Sequence, residues 1–143
     1  DSVPDPDHAT DLMRMAREAL DQTRYAEAAR LASAAAHASP FEVDAYLVEG
    51  RARATVGDDE GSLVALRKAV YLAPQGGHGR FLLAGALSRC GGPAAREYRA
   101  AAQTLPDTPA ADLDDLLDGC DVAELVTLCQ RLAAENDLRA QAS

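Results

Sequence analysis

Apolar residues recur along the chain at intervals of three and four positions, the spacing that places side chains on one face of an α-helix. The pattern is clearest near the C-terminus, where one stripe is formed by Val122, Leu125, Val126, Cys129, Leu132 and Ala133. Asp121 comes directly before that stripe and Glu124 follows three residues later, which is the spacing of a helix-capping pair. The pattern predicts an amphipathic helix within 120–143.

Three prolines end three similar segments and indicate a longer period. Pro40, Pro74 and Pro106 lie 34 and then 32 residues apart. A period of about 34 residues is typical of tetratricopeptide (TPR) arrays, in which each repeat is a helix–turn–helix pair. The three predicted repeats are 9–42, 43–76 and 77–106.

One position in each repeat holds a small residue, namely Ala16, Gly50 and Ala84. We expect two helices to cross closely there, because a larger side chain would hold them apart. The third repeat is two residues short, and we place the deletion in the turn at 90–93. A deletion inside a helix would instead rotate its buried stripe away from the core.

Two charged residues occupy repeat positions that are usually apolar. Near Glu49, Tyr46 and Leu47 are expected to provide the apolar packing that Glu49 does not. Arg80 is expected to extend its guanidinium to solvent at an edge, with only its aliphatic stem covered. Neither residue is predicted to be a buried functional group.

Composition favours close-packed helices over a sheet. Hydrophobic residues make up 48% of the chain, Trp is absent, and only four Tyr and two Phe are present. Alanine dominates the apolar set, and it is the best helix former. Strands would require more β-branched and aromatic residues. The predicted fold is therefore all-α: a TPR helical solenoid of three repeats, with a C-terminal capping helix covering its last repeat.

The segments outside the repeats have distinct predicted roles. Residues 1–8 are expected to be disordered, and 107–119 to be an acidic linker containing a short helix. The capping helix lies in 120–143, and its tail is expected to fray from about residue 140. Because the chain begins with Asp1 and not Met, we expect it to derive from a longer parent.

The formal net charge of −9 excludes several functions. Nucleic-acid binding requires a basic field, which this chain lacks. No apolar run approaches the roughly 20 residues that a membrane span needs, so membrane insertion is not expected. Cys90, Cys120 and Cys129 form no paired motif, which favours reduced thiols and a cytoplasmic location.

No arrangement of residues suggests catalysis. His8, His37 and His78 are scattered without metal-ligand spacing. The glycine-rich stretch 75–79 has neither a preceding strand nor the Lys-Ser/Thr of a phosphate loop. We therefore predict no enzymatic activity, no cofactor and no metal site.

The predicted function is to bind a protein or peptide, as a monomer or weak oligomer. In stacked helix pairs of this kind the first helix of each repeat lines the inner, concave surface. The predicted groove is formed by Met13, Arg14, Arg17, Leu47, Val48, Arg51, His78, Phe81, Leu82 and Arg89. An apolar floor edged with arginines suits an acidic or amphipathic helical segment. The alternative is that these arginines only solvate an ordinary helix face.

Residues 9–106 resemble tetratricopeptide repeats in general, and a narrower resemblance covers about 58–132. The segments 66–74 (LRKAVYLAP), 80–84 (RFLLA) and 117–125 (LDGCDVAEL) resemble the TPR region appended to CheR-type chemoreceptor methyltransferases of bacteria. This resemblance implies a non-catalytic regulatory part of a protein-glutamate methyltransferase that uses S-adenosylmethionine. Its partner would be the catalytic domain, a chemoreceptor or another signalling protein.

The alternative function is a general TPR scaffold or oligomerisation unit unrelated to methyl transfer. Self-association would then use the convex face or the apolar stripe of the C-terminal helix.

Overall fold

A computed structural model describes residues 6–117 and 120–142 of the chain. Within these ranges the chain is helical and contains no β-strand. The helices are α1 (Pro6–Asp21), α2 (Tyr25–Ala38), α3 (Val43–Thr55), α4 (Asp59–Leu72), α5 (Gly77–Arg89), α6 (Ala95–Thr104), a short 3₁₀ helix (Leu105–Asp107), α7 (Ala110–Leu117) and α8 (Val122–Ala142). The chain forms two compact units, Asp1–Leu72 and Ala73–Ser143.

The first unit contains two helix pairs, α1 with α2 and α3 with α4, and α2 also packs along α3. Its interior is made largely of alanine. Fully buried members are Ala16, Ala19, Ala28, Ala32, Ala35, Ala45 and Ala52. Alanine favours the helix and adds no bulk between helices, so the backbones can approach closely.

One close approach between two helices depends on the missing side chain of Gly50 and joins α3 to α4. A Cβ atom placed on Gly50 would lie 2.5 Å from Cγ of Leu66. Leu66 is only 1% exposed, so it lies within the packed interior of the unit. The buried Ser62 hydroxyl donates a 2.7 Å hydrogen bond to the Gly50 carbonyl across the same crossing.

The turn between α3 and α4 combines a glycine and an aspartate. Gly57 has φ of +87°, a conformation in which glycine is favoured because it lacks Cβ. Asp58 then caps α4 by accepting a 3.0 Å hydrogen bond from the Gly61 amide. That bond, with a second from Arg53, lowers the pKa of the Asp58 carboxyl.

The two charged residues at usually apolar positions are both paired. The Glu49 carboxylate accepts a 2.8 Å bond from Arg53 one helical turn away. Arg80 does not extend to solvent as expected from the sequence. Its guanidinium pairs with Glu97 at 3.0 Å and donates to the Pro74 carbonyl at 2.8 Å. These bonds satisfy the charge where the side chain is only 22% exposed.

The second unit is built around α6. Helix α8 packs along α6, as α3 packs along α2 in the first unit, and α5 also packs on α6. Leu125, Cys129 and Ala133 of α8 are buried in this core. An ion pair between Arg99 and Asp137, 2.7 Å long, joins the outer edges of the two helices. The predicted capping helix is thus bound to the last helix pair.

The start of α5 is held close to the 3₁₀ helix. A Cβ atom on Gly77 would lie 2.6 Å from the backbone nitrogen of Leu105, so only glycine fits there. The Gly77 amide donates a 2.9 Å hydrogen bond to the hydroxyl of Thr108, which is itself buried.

The short third repeat loses residues from a helix and not from its turn. Helix α6 has 10 residues where α4 has 14, whereas α3 and α5 have 13 each. The turn before α6 spans 90–94 and is longer than the turn at 56–58. The deletion therefore removes the first turn of the second helix. Tyr98 still occupies the buried position of Leu66, because the stripe keeps its register from there to Pro106.

The described helices include part of both terminal segments. Helix α1 begins at Pro6, inside the segment 1–8 predicted to be disordered, since proline suits a first helical position that needs no amide donor. Residues 1–5 lie outside the described residues. Helix α8 extends to Ala142, and its last turns are rich in helix-favouring residues. Of the predicted linker 107–119, residues 118 and 119 also lie outside the description.

We predict that Gly50→Ala destabilises the first unit by about 1–3 kcal/mol, because its methyl group would overlap Leu66 in a filled core. Urea unfolding followed by circular dichroism measures this loss. Gly85→Ala on α5 is the matched control, since its Cβ would contact only the end of the Arg89 side chain at 3.2 Å. The control is expected to be neutral or stabilising by up to about 1 kcal/mol. Equal losses in both variants would contradict the close helix crossing.

We also predict that Cys129 resists alkylation in the native protein while Cys90 and Cys120 react. Cys129 is fully buried and the other two are exposed. Burial raises the pKa of the Cys129 thiol to about 11, which suppresses the reactive thiolate. Iodoacetamide labelling followed by peptide mass spectrometry measures each site, with the urea-unfolded protein as the control. Rapid native labelling of Cys129 would show that α8 does not stay bound to α6.

Candidate partner-binding site

An open cleft with a volume of about 600 Å³ lies on the first unit between α1 and the start of α3. Its lining consists of Ala9, Thr10, Met13, Arg14, Arg17, Glu18, Asp21, Ser39, Glu42 and Asp44. The α1 members recur every three or four residues, so they form one face of that helix. The turn between α2 and α3 and the first turn of α3 supply the opposite wall.

The floor of the cleft is apolar and its rim is charged. Ala9 is 6% exposed and Met13 8% exposed, so both present only a small apolar surface. The rim holds four carboxylates and two guanidiniums. The lining is therefore acidic on balance, although two arginines from the predicted groove belong to it.

Both arginines are already paired within the unit. The Arg17 guanidinium lies 2.7 Å from the Asp44 carboxylate and so joins α1 to α3 across the cleft. Arg14 lies 3.7 Å from Asp11 and 3.6 Å from Glu18 on its own helix. These pairs are more than half exposed, so they orient the side chains and contribute little stability. They also reduce the positive charge that an incoming ligand would meet.

The predicted groove residues on α3 lie apart from this cleft. Leu47 and Val48 are each 7% exposed, and neither is among the residues that line this cleft. Arg51 is half-buried. The α3 side chain that does reach the cleft is Asp44.

The remaining predicted residues lie on α5 in the second unit. Phe81 is half-buried, and its ring meets Tyr98 edge-on with centroids 6.3 Å apart. Leu82 is half-buried and Arg89 is exposed. The Nδ1 atom of His78 is buried and makes no hydrogen bond with the described residues. Phe81 thus helps to pack the second unit, which limits its availability to a partner.

Sequence reasoning missed the part of the cleft that comes from a turn. Ser39 and Glu42 flank Pro40 in the connection between α2 and α3, and both line the cleft. The predicted groove consists of helix residues alone. The proline that marks the repeat boundary is the signal that would have located this wall.

The chemistry of the cleft is that of binding. Its side chains can cover an apolar group and form hydrogen bonds or ion pairs at the rim. Among the residues that the structure describes, no three His, Cys, Asp or Glu side chains are grouped as a metal would require. Within the same ranges, no helix is both long and apolar enough to cross a membrane.

The architecture is similar to that of several solved structures. One is a T3SS complex from Aeromonas hydrophila, with a TM-score of 0.80 and 15% identity over 97% of this chain and 87% of that chain. Another is PcrH of Pseudomonas aeruginosa in complex with the chaperone binding region of PopD, with a TM-score of 0.78 and 14% identity over 95% and 96%. A third is the Sgt2 TPR domain from Aspergillus fumigatus, with a TM-score of 0.73 and 14% identity over 99% and 85%.

The chain has a TPR-like, all-helical solenoid fold. At these identities the similarity establishes the fold alone. No family model matches the sequence, and no curated protein matches it either.

Proposed function

We propose that the chain is a non-catalytic module that binds a segment of another protein in the cleft between α1 and α3. The observation that supports this most directly is the cleft itself, which has an apolar floor of Ala9 and Met13 within a polar rim. PcrH, which shares the fold, has been solved with a bound region of PopD. A segment that places an apolar side chain on the floor and polar groups at the rim would fit the same kind of surface.

The rim favours an amphipathic segment with basic residues over the acidic segment suggested by the sequence. Four carboxylates face two guanidiniums, and Arg14 and Arg17 already have carboxylate partners. An incoming lysine or arginine can pair with Glu18, Asp21 or Glu42. An incoming carboxylate would meet like charge at most of the rim, which is unfavourable. The binding is proposed to occur in the cytoplasm, where exposed cysteines stay reduced.

The second unit contributes proposed contacts of its own on α5. Leu82 and Arg89 are at least partly exposed, and His78 lies on the same helix. We retain these three as proposed binding residues, with Phe81 as a packing residue that supports α5.

We predict that a phage-displayed random peptide library selects sequences that combine apolar and basic residues. Glu18→Lys with Glu42→Lys should lower the affinity for such a peptide by about tenfold or more, because two rim charges are reversed. Fluorescence anisotropy of a selected peptide measures the change. Glu60→Lys with Glu135→Lys makes the same change in net charge at exposed sites on α4 and α8 and should have little effect.

Two results would contradict the cleft proposal. One is a selected set dominated by acidic peptides. The other is a selected peptide that binds both double variants as tightly as it binds the original chain. Far-ultraviolet circular dichroism of each variant shows whether the helices are retained, so that a loss of binding is not mistaken for unfolding.

A narrower proposal is that the module regulates a bacterial chemotaxis-type methyltransferase. It is supported by the sequence resemblance in 66–74, 80–84 and 117–125, whereas the structural relatives named above are secretion and TPR proteins. The gene sequence immediately upstream of the codon for Asp1 is the direct test. We expect a methyltransferase domain to be encoded there, and an unrelated domain would reject this version while leaving the cleft proposal intact.

The alternative of an oligomerisation unit has less support from the second unit. Leu125 and Cys129 of the apolar stripe are 6% and 0% exposed because they pack in the core around α6. They are therefore not available for contact with a second copy while α8 stays in place. A general TPR scaffold remains as compatible with the fold as a signalling module.

A further inference from the structure

The outward face of α4 differs from an ordinary solvated helix face. Val64 is 56% exposed and Tyr71 is 85% exposed, so both of these large apolar side chains face solvent. They lie seven residues apart, which places them about two helical turns apart on one side of the helix. Arg67 and Lys68 lie between them in sequence and are also exposed.

The helical repeat does not require apolar residues at these positions. The second helices of the other two repeats have exposed polar side chains at the equivalent positions. Val64 corresponds to Arg30 and Arg96, and Tyr71 corresponds to His37 and Gln103. The second helices of the three repeats, α2, α4 and α6, therefore differ on this face. Of the three, α4 alone has two large apolar side chains beside two cations there.

The positive charge on this face is available to a ligand. Arg67 has no ion pair with the described residues, whereas Arg17, Arg53 and Arg99 each lie within 3 Å of a carboxylate. Lys68 is positioned by the ring of Tyr46, whose centroid lies 5.7 Å from its Nζ atom. A cation over an aromatic ring keeps its charge and remains able to bind a carboxylate.

We propose that the outward face of α4, formed by Val64, Arg67, Lys68 and Tyr71, docks an acidic amphipathic helix of a partner protein. Leucine-like side chains of that helix would cover Val64 and Tyr71, and its Asp or Glu residues would pair with Arg67 and Lys68. This surface shares no residue with the cleft between α1 and α3, so the chain would bind two segments of opposite charge.

The charge of the chain favours an acidic helix on this face over an anionic membrane or a second copy of the chain. The chain has a net charge of −9, so both an anionic membrane surface and a second copy of the chain would be repelled at long range. Two basic residues are fewer than the clusters that hold proteins on anionic lipid. A short acidic helix needs to approach only this local positive patch.

The test uses a designed helical peptide with leucines on one face and glutamates beside them, measured by fluorescence anisotropy. Arg67→Glu with Lys68→Glu should weaken its binding by about tenfold or more, and Tyr71→Ala by several-fold. Arg96→Glu with Arg131→Glu is the matched control, because it makes the same charge change at exposed sites on α6 and α8. That control should change affinity by less than about twofold.

Several outcomes would overturn the proposal. One is an equal loss of affinity in both double variants. A second is equal affinity for a version of the peptide with lysines in place of glutamates. A third is full affinity in a variant that combines Tyr71→Ala with Arg67→Glu. Binding of the chain to vesicles of anionic phospholipid that is lost with Arg67→Glu and Lys68→Glu would assign the face to a membrane instead. Sedimentation showing a dimer that the same substitutions dissociate would assign it to a second copy.

The Glu18→Lys with Glu42→Lys variant separates this surface from the cleft. It should keep its affinity for the acidic peptide, because the α4 residues are unchanged. If it loses that affinity, the acidic peptide binds in the cleft and the α4 proposal fails. If it loses only the library-selected peptide, both surfaces act independently.

Discussion

Helices in the first unit are separated by distances that only small side chains allow. Gly50 sets the limit, because any Cβ there would overlap the buried Leu66 on the neighbouring helix. The buried alanines extend the same condition along the other helix contacts. In the same unit, α1 and the start of α3 line the open cleft.

The second unit meets a related requirement by different means. Gly77 lets α5 approach the backbone of Leu105, and Thr108 bonds to the amide at this contact. Larger side chains then fill the core where α8 covers α6, with Cys129 fully buried among them. A terminal helix pair left uncovered would expose this apolar surface to water. The cap therefore completes the fold and buries Leu125, Cys129 and Ala133 of its apolar stripe.

Charge determines what the exposed surfaces can bind. In the cleft, carboxylates outnumber guanidiniums and neutralise them locally, as Arg17 and Asp44 show. On α4 the opposite holds, because Arg67 has no carboxylate partner among the described residues and Val64 and Tyr71 lie beside it. An acidic protein can thus present one locally basic surface. The net charge of a chain is a poor guide to the charge of a particular site, since short-range pairs decide the local field.

The sequence by itself determined the helical class, the repeat period and the capping helix. The spacing of apolar residues predicts the helices, and the spacing of the prolines gives the repeat period. The small residue at Gly50 marks the close helix crossing. The tertiary structure decided which charged groups are paired, and this changed the prediction most. Arg80 was expected at a solvent edge but bonds to Glu97, and Ser39 and Glu42 of the connection between α2 and α3 line the cleft although the predicted groove did not include them. The distance between charged groups on two helices cannot be read from residue spacing in the sequence. The exposure of a side chain depends on which neighbouring residues cover it in the folded protein.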